Sequence, residues 1–336
     1  MPVFVQPFTD EQARCVANLA QQYDVWIEAD SALAALPYNL VRKEVKGRSY
    51  LYELVDRLGN GKSLGPFDAD AKRKLADYQA RKAQLKARVQ GTSRTLETTA
   101  RMYRALRLPL IDSPAGDILR AIDRRDFLGR RVMVVGTNAI PVYFMEANAF
   151  IVDMPDQTAD FDLAWSSAEP AEDDELLFSI LKDVDPTYTV NSERPFQARN
   201  AQAYEVELLV APSKKDTLNR RERLRPVALP EQEWLLRGRP VEHVVVTRDL
   251  KSARIIAPDP RWFALHKLWM SEKPRRNPQK KPKDRKQGSL LLHAITLAMP
   301  HYPLDDAFIS ELPPELLTCF EDWRVRRAFE ARDGAR

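Results

Sequence analysis

The sequence predicts an α+β protein, a mixed sheet with helical regions before and after it. Three observations carry this reading. Short apolar runs rich in β-branched residues recur between positions 132 and 257. Apolar residues after Thr9 fall at helical spacing, as Ala13, Val16, Leu19 and Ala20. Asp68 to Val89 is built from Ala, Lys, Arg, Gln and Leu with neither Gly nor Pro, which favours a long exposed helix.

Taken in order, Thr9-Asp10-Glu11-Gln12 reads as a helix start. In Lys46 to Leu54, Tyr50 and Tyr52 alternate with aliphatics, and Gly59-Asn60-Gly61 follows, so a strand, a turn and a returning strand through Ser63-Leu64 are expected. The helix of 68–89 resumes over Thr95 to Leu106, and another covers Ala115 to Arg124. Val132-Met133-Val134-Val135 is a buried strand ending at Gly136. A helix is expected from about Asn138 to Ala147, with Pro141 tolerated in its first turn. Further strands are Asp160–Leu163, Ala203–Val210, Val241–Thr247 and Ala253–Ala257, with a helix over Glu172 to Lys182. Gln287 to Leu304 reads as a buried helix and its exit, not a bilayer span. The expected division is a mainly helical region with a small hairpin over 1–112, a sheet core over 113–260, and a helical region with a basic loop over 261–336.

Length and composition narrow the class. At roughly 150 residues per domain, 336 residues suggest about two domains. Hydrophobic residues at 44% exclude global disorder. A net charge of +4 gives no global attraction to nucleic acid, so any charge argument is local. Two distant cysteines, Cys15 and Cys319, rule out a disulfide framework and point to a reducing cytoplasm. The N-terminus has no basic segment followed by an apolar run, so no secretory signal is expected. Charge is segregated: Asp153 to Asp185 holds eleven acidic residues against Lys182, and Lys273 to Lys286 holds eight basic residues against Asp284. Such blocks form solvated loops, or bring metal ions and a phosphate-rich substrate to one cleft.

The chemistry concentrates in Gly136-Thr137-Asn138 and Asp160-Phe161-Asp162. The first lies between strand and helix, where a glycine admits a ligand close to backbone and the helix start favours an anion. The second puts two carboxylates on one face of a strand, since side chains two apart point the same way. Paired carboxylates repel unless a cation sits between them, and Mg²⁺ takes one or two carboxylates plus phosphate oxygens. Two such ions bind both the attacking and the leaving oxygen of a phosphoryl displacement. A third carboxylate on a neighbouring strand completes that site; Glu207, flanked by apolar residues, is preferred, with Glu205 in reserve.

This order of strand, Gly-Thr, helix, Asp-x-Asp strand and acidic strand resembles the nucleotidyltransferase fold of the DNA polymerase β superfamily. It resembles more closely an uncharacterised bacterial group whose core reads Gly-Thr-Asn-Ala, then Thr-x-Asp-x-Asp, matched by Gly136 to Ala139 and Thr158 to Asp162. Later His-Lys-Leu and Lys-Asp segments match His266-Lys267-Leu268 and Lys283-Asp284, and Ser63-Leu64-Gly65-Pro66 extends the likeness to the N-terminal part. More distantly, the chain is similar to nucleotidyltransferase toxins of the AbiEii type. The resemblance implies transfer of a nucleotidyl group from an NTP to an RNA, protein or small-molecule acceptor, with two Mg²⁺ ions. It implies that Asp160, Asp162 and Glu207 bind metal and are catalytic, and that Gly136, Thr137, Asn138, Lys267 and Lys283 contact the nucleotide. An antitoxin or a second copy is the implied partner; a nucleotide-binding module without turnover is the alternative. Glu207 departs from the more common Asp, which leaves its role as base less secure than its role as ligand.

Other candidates read as structure. His266 beside Phe263 and Leu268 is expected to be a satisfied packing residue, and Trp262, Trp269 and Trp323 core aromatics. Glu172 to Glu175 read as charges suited to a helix start. Tyr50 and Tyr52 invite a nucleic-acid reading, but cross-strand packing explains them more simply.

Overall fold

The computed structural model describes residues 4–156, 160–169 and 176–333. After strand β1 (Val5–Pro7), helix α1 (Asp10–Ala34) starts at Thr9, whose hydroxyl accepts from the Gln12 N–H while the Gln12 side chain accepts from Thr9 N–H. A three-stranded antiparallel sheet follows, β2 (Asn39–Val45), β3 (Arg48–Leu54) and β4 (Gly61–Pro66). Helix α2 (Ala69–Ala105) returns along α1, tied to it by Arg88–Glu28 and Thr99–Gln22 contacts. It is one unbroken helix that joins the two helical stretches expected over 68–89 and 95–106 and runs through Gly91. A single exposed glycine costs only about 1 kcal/mol against alanine, too little to offset packing on α1. β2 is not legible in the sequence, because Arg42-Lys43-Glu44 hides the alternation; pairing with β3 makes it a strand.

The core begins with β5 (Leu110–Ile111), α3 (Ser113–Asp123), β6 (Val132–Val135), α4 (Ile140–Glu146), β7 (Ala149–Ile151) and β8 (Asp160–Trp165). Gly136–Ala139 forms one 3₁₀ turn ahead of α4, so that helix starts later than its sequence suggests. Next come α5 (Leu177–Val184), β9 (Thr189–Val190), β10 (Gln197–Arg199), β11 (Glu205–Val210), β12 (Val227–Ala228) and α6 (Gln232–Leu235). The residues Glu172 to Glu175, expected at the start of the helix before Lys182, lie outside the described residues. The main sheet runs β6-β8-β11-β10-β9, with β12 beside the far end of β11. β8 lies antiparallel to β6 and parallel to β11. Phe161, Leu163, Val206, Leu208 and Val210 are fully buried on one face, which turns the intervening acids to the other.

The hairpin of β13 (Val241–Thr247) and β14 (Ser252–Ala257) does not join that sheet. It forms its own with β5, because Val246 and Thr247 pair with Leu110 and Ile111. The chain closes with α7 (Pro260–Glu272), α8 (Lys281–Ala298), α9 (Asp306–Ser310) and α10 (Pro314–Asp333). α7 and α8 approach closely at Gly288, where a Cβ would stand 2.6 Å from the Ala264 carbonyl oxygen. The expected basic loop is thus loop only to Lys280; the rest of the run is the first turns of α8. Trp262 and Trp323 are buried, as expected of core aromatics. Buried apolar residues from Phe8 to Trp323 form one connected cluster, while Leu51, Ala71, Tyr78 and Leu85 are buried outside it, at the β2–β4 end.

Glu222 shows how an irregular segment is held. Its buried carboxylate accepts from the N–H groups of Leu177, Phe178 and Leu224, supplying α5 with the cap that Leu176 lacks. Replacing Glu222 with Ala leaves those donors unsatisfied and is expected to cost roughly 2–3 kcal/mol. Urea denaturation checks this; an unchanged midpoint would remove the capping role.

Candidate active site

Strand pairing builds the site. The parallel register of β8 and β11 sets Glu205 opposite Asp160 and Glu207 opposite Asp162, so four carboxylates share one face. On the other flank Val135 of β6 pairs with Asp162, and the chain then turns at Gly136 with φ +67°. A Cβ at Gly136 would sit 2.1 Å from Asp162 Oδ2, so only glycine lets the turn pass over that carboxylate. Asn138 is buried and donates its side-chain amide to the Asp160 carbonyl at 2.7 Å, fixing the first residue of β8 from behind. Thr137 is buried, and its hydroxyl accepts from Gln287 at 3.4 Å. Thr158, the first position of the Thr-x-Asp-x-Asp motif, lies outside the described residues.

These elements enclose a cavity of about 210 Å³. Gly136, Thr137, Asp160, Asp162 and Glu207 line one side; His266, Lys267, Arg276, Lys280, Lys283 and Asp284 line the other. Glu205 is drawn away, its carboxylate paired with Arg199 and Gln197. Glu207 accepts from the same Gln197 at 3.0 Å. Lys280 Nζ stands 3.2 Å from Asp160 Oδ2. Among the described residues, no three His, Cys, Asp or Glu groups are gathered to hold a metal ion as they stand. Asp160 and Glu207 are each engaged by a neighbouring donor.

The electrostatics follow from crowding. Burial, then the charges of Asp160 and Glu207, raise the Asp162 carboxyl to about 7. Burial also raises Glu207, opposed by the Gln197 hydrogen bond. Lys267 is buried and pairs with Asp284 at 3.3 Å, and Arg276 adds a second contact to Asp284 at 2.7 Å. Burial lowers both Lys267 and Lys283. His266 lines the cavity but is neutral: burial and the charge of Lys267 push it down to about 3. Its ring packs against Trp234 and Trp269, while Nδ1 has no hydrogen-bond partner among the described residues.

The two later sequence segments therefore meet through the Lys267–Asp284 pair. Lys267, expected to reach phosphate, is instead held in that buried pair. Lys280, Arg276 and Gln197 also act in the site. The first two stand in the basic run; no sequence signal marks Gln197.

A stability measurement tests the Asp162 environment. A carboxyl raised in the folded state holds its proton more tightly there than when unfolded. Its contribution therefore falls as pH rises from about 4 to about 7 and levels off above. With chelator present, the wild-type protein should lose roughly 2–3 kcal/mol relative to Asp162→Asn between pH 5 and pH 8, at about 1.4 kcal/mol per pKa unit. Equal pH profiles for the two proteins would contradict the raised value.

Among the described residues no helix is long and apolar enough to cross a membrane. No curated protein and no solved structure matches the chain. A family model described as Nucleotidyltransferase matches residues 113–313. That span runs from α3 to the turn before α10, more than half of the sequence, and contains every residue lining the cavity. The chain belongs to the nucleotidyltransferase family.

Proposed function

We propose that the chain transfers a nucleotidyl group from an NTP to an acceptor hydroxyl in the cavity between β8, β11 and α8. One observation carries the proposal. The β8–β11 register stands Asp162 beside Glu207, with Asp160 on the same face, opposite the lysine-bearing start of α8. The residues fit divalent cations. The donors are hard carboxylate oxygens. Burial, and after it the charges of Asp160 and Glu207, make Asp162 hold its proton, and a bound cation would relieve the part due to charge. The Lys280 ammonium on Asp160 already supplies one positive charge there. Asp160, Asp162 and Glu207 would hold Mg²⁺ once Lys280 lets go of Asp160. Bound Mg²⁺ would supply charge neutralisation for the triphosphate and for the oxygens exchanged at the α-phosphorus.

The remaining roles belong to the chain. Gly136 and Thr137 present backbone N–H groups at the 3₁₀ turn to phosphate oxygens. Asn138 positions Asp160 rather than touching nucleotide. Lys280, released from Asp160, and Lys283 sit at the positive start of α8 and meet the triphosphate. Lys267 keeps a positive charge within electrostatic reach of Asp162, and Asp284 holds it there. Glu207 receives the proton of the attacking hydroxyl as that oxygen bonds the α-phosphorus, the bond to the α–β bridging oxygen breaks, and pyrophosphate leaves along Gly136 and Thr137. The cavity is smaller than the roughly 300–1,000 Å³ of a typical small-molecule pocket, so it suits the polyphosphate with the nucleoside extending outward.

The Lys280–Asp160 contact favours a second reading, in which the cleft binds a nucleotide without turning it over. The closer likeness to the bacterial Gly-Thr-Asn-Ala group, the toxin role, the three-part division of the chain and a cytoplasmic site of action rest on sequence and remain part of this proposal. Incubation with each α-³²P-labelled NTP, Mg²⁺ and total RNA or lysate tests it. Label should pass to one class of macromolecule. NTP binding without any labelled product would support the second reading instead.

A further inference from the structure

The end of the molecule formed by β2–β4 and the outer turns of α1 and α2 differs from the rest in charge. Tyr38 to Gln90 holds thirteen Lys and Arg against six Asp and Glu, +7 in a chain whose total is +4. It also stands apart. Leu96 is the first residue of α2 in the main apolar cluster, and α2 runs from there back to Ala69, roughly 40 Å at 1.5 Å per residue.

Two hollows lie on this arm. One is lined by Lys46, Arg48, Tyr50, Tyr52 and Ser63 on an open sheet face. Register places Val41, Lys43, Val45, Arg48, Tyr50 and Tyr52 on that face, and none of them is buried, whereas Leu51 on the opposite face is. Tyr52 pairs across the strands with Val41 and Tyr50 with Lys43, the cross-strand packing their alternation suggests, yet both rings stay partly exposed. The other hollow, about 960 Å³, lies between the helices and the sheet, where Tyr38, Arg57, Tyr78, Lys82 and Lys86 contribute. Neither is lined by a carboxylate. Cations already lie over the rings: Lys43 is 5.1 Å from the Tyr52 centroid and Lys82 is 5.0 Å from that of Tyr78. Among the described residues Lys43, Lys46, Arg48, Arg57, Lys82 and Lys86 form no ion pair.

We infer that this arm is a docking surface for single-stranded RNA, the acceptor of the proposed transfer. The partly exposed rings of Tyr38, Tyr50 and Tyr52 offer stacking surface to bases, interleaved cations meet phosphates, and the combination follows a single strand rather than a folded protein surface. The Ser63 hydroxyl in the sheet hollow is placed to bond a ribose 2′-hydroxyl, which favours RNA over DNA. The separation from the core calls for a polymer rather than a small molecule. Naming the strand as acceptor rests on the transfer reading; the binding does not.

The test is fluorescence anisotropy of the full chain with a labelled 20-nucleotide oligo(U), titrated over a range of salt. Lys46→Glu/Arg48→Glu and Tyr50→Leu/Tyr52→Leu should each weaken binding at least 10-fold, with unchanged circular dichroism. The charge pair should also flatten the salt dependence by about 1.4, roughly 0.7 per phosphate contact on a single strand. Lys72→Glu/Arg94→Glu changes the same charge outside both hollows and should weaken binding less than 3-fold. Oligo(dT) should bind at least 3-fold more weakly. Asp160→Asn/Asp162→Asn should bind RNA like the wild type, so failure of the transfer chemistry leaves this result standing. No binding, equal loss in the control pair, or equal affinity for oligo(dT) would overturn the proposal. So would arm variants that dissociate a dimer while RNA fails to bind.

Discussion

Asp160→Asn combined with Asp162→Asn is expected to abolish label transfer from α-³²P-labelled NTPs, a loss of at least 1,000-fold, while the protein stays folded. The two carboxylates line the cavity from β8, and nothing else on that strand carries negative charge into it. Removing them takes away two of the three proposed ligands without touching Phe161, Leu163 or the ladder to β11. Relief of repulsion among Asp160, Asp162 and Glu207 should leave thermal stability equal or higher at pH 8. A double variant that still transfers label would show that the carboxylates do not carry the reaction. A double variant that unfolds would show that they are structural.

The second large effect is on stability. Asp284 is buried between Lys267 and Arg276, at 3.3 and 2.7 Å. Truncation to Ala leaves the Lys267 ammonium buried without its counter-charge, which is expected to cost about 3–5 kcal/mol. Replacing both partners, as Lys267→Met/Asp284→Leu, removes the charge with the loss and should recover most of that stability. The double variant should nevertheless transfer label poorly, because the positive charge that acts on Asp162 from α7 is gone. Chemical denaturation and label transfer on the same preparations separate the two effects. Full activity in the stable double variant would reduce the pair to packing.

How much of this was legible before any coordinates follows from where the physics is local. β6 and β8 were readable because an apolar run ending at Gly136 and an alternating Asp-Phe-Asp-Leu each have one physical solution. The shared face of Asp160 and Asp162 follows from strand period alone. Glu207 lines the cavity and Glu205 does not, and the cause of that difference is tertiary. Arg199 draws Glu205 toward the sheet edge, and a residue six positions away on β10 cannot be placed from period. Gln197 was illegible for the same reason. The separate β13–β14–β5 sheet depends on a two-residue strand that has no pattern of its own. Lys267 was picked as a charge for phosphate, yet its partner Asp284 sits seventeen residues on, in a stretch that reads as solvated loop. The basic residues of that block do stay exposed or half-exposed; packing of α8 on α7, close at Gly288, buries only its single acid, Asp284.

Transfer in this cavity requires Asp160, Asp162 and Glu207 to converge on divalent ions. The direct measurement is a crystal structure with Mn²⁺ and a non-hydrolysable NTP, read by anomalous scattering. The prediction is metal density bound by Asp160 and Asp162 with Glu207 beside it, the triphosphate against Gly136 and Thr137, and Lys280 moved off Asp160 onto phosphate. Nucleotide bound with no anomalous peak, and Lys280 still on Asp160, would contradict it.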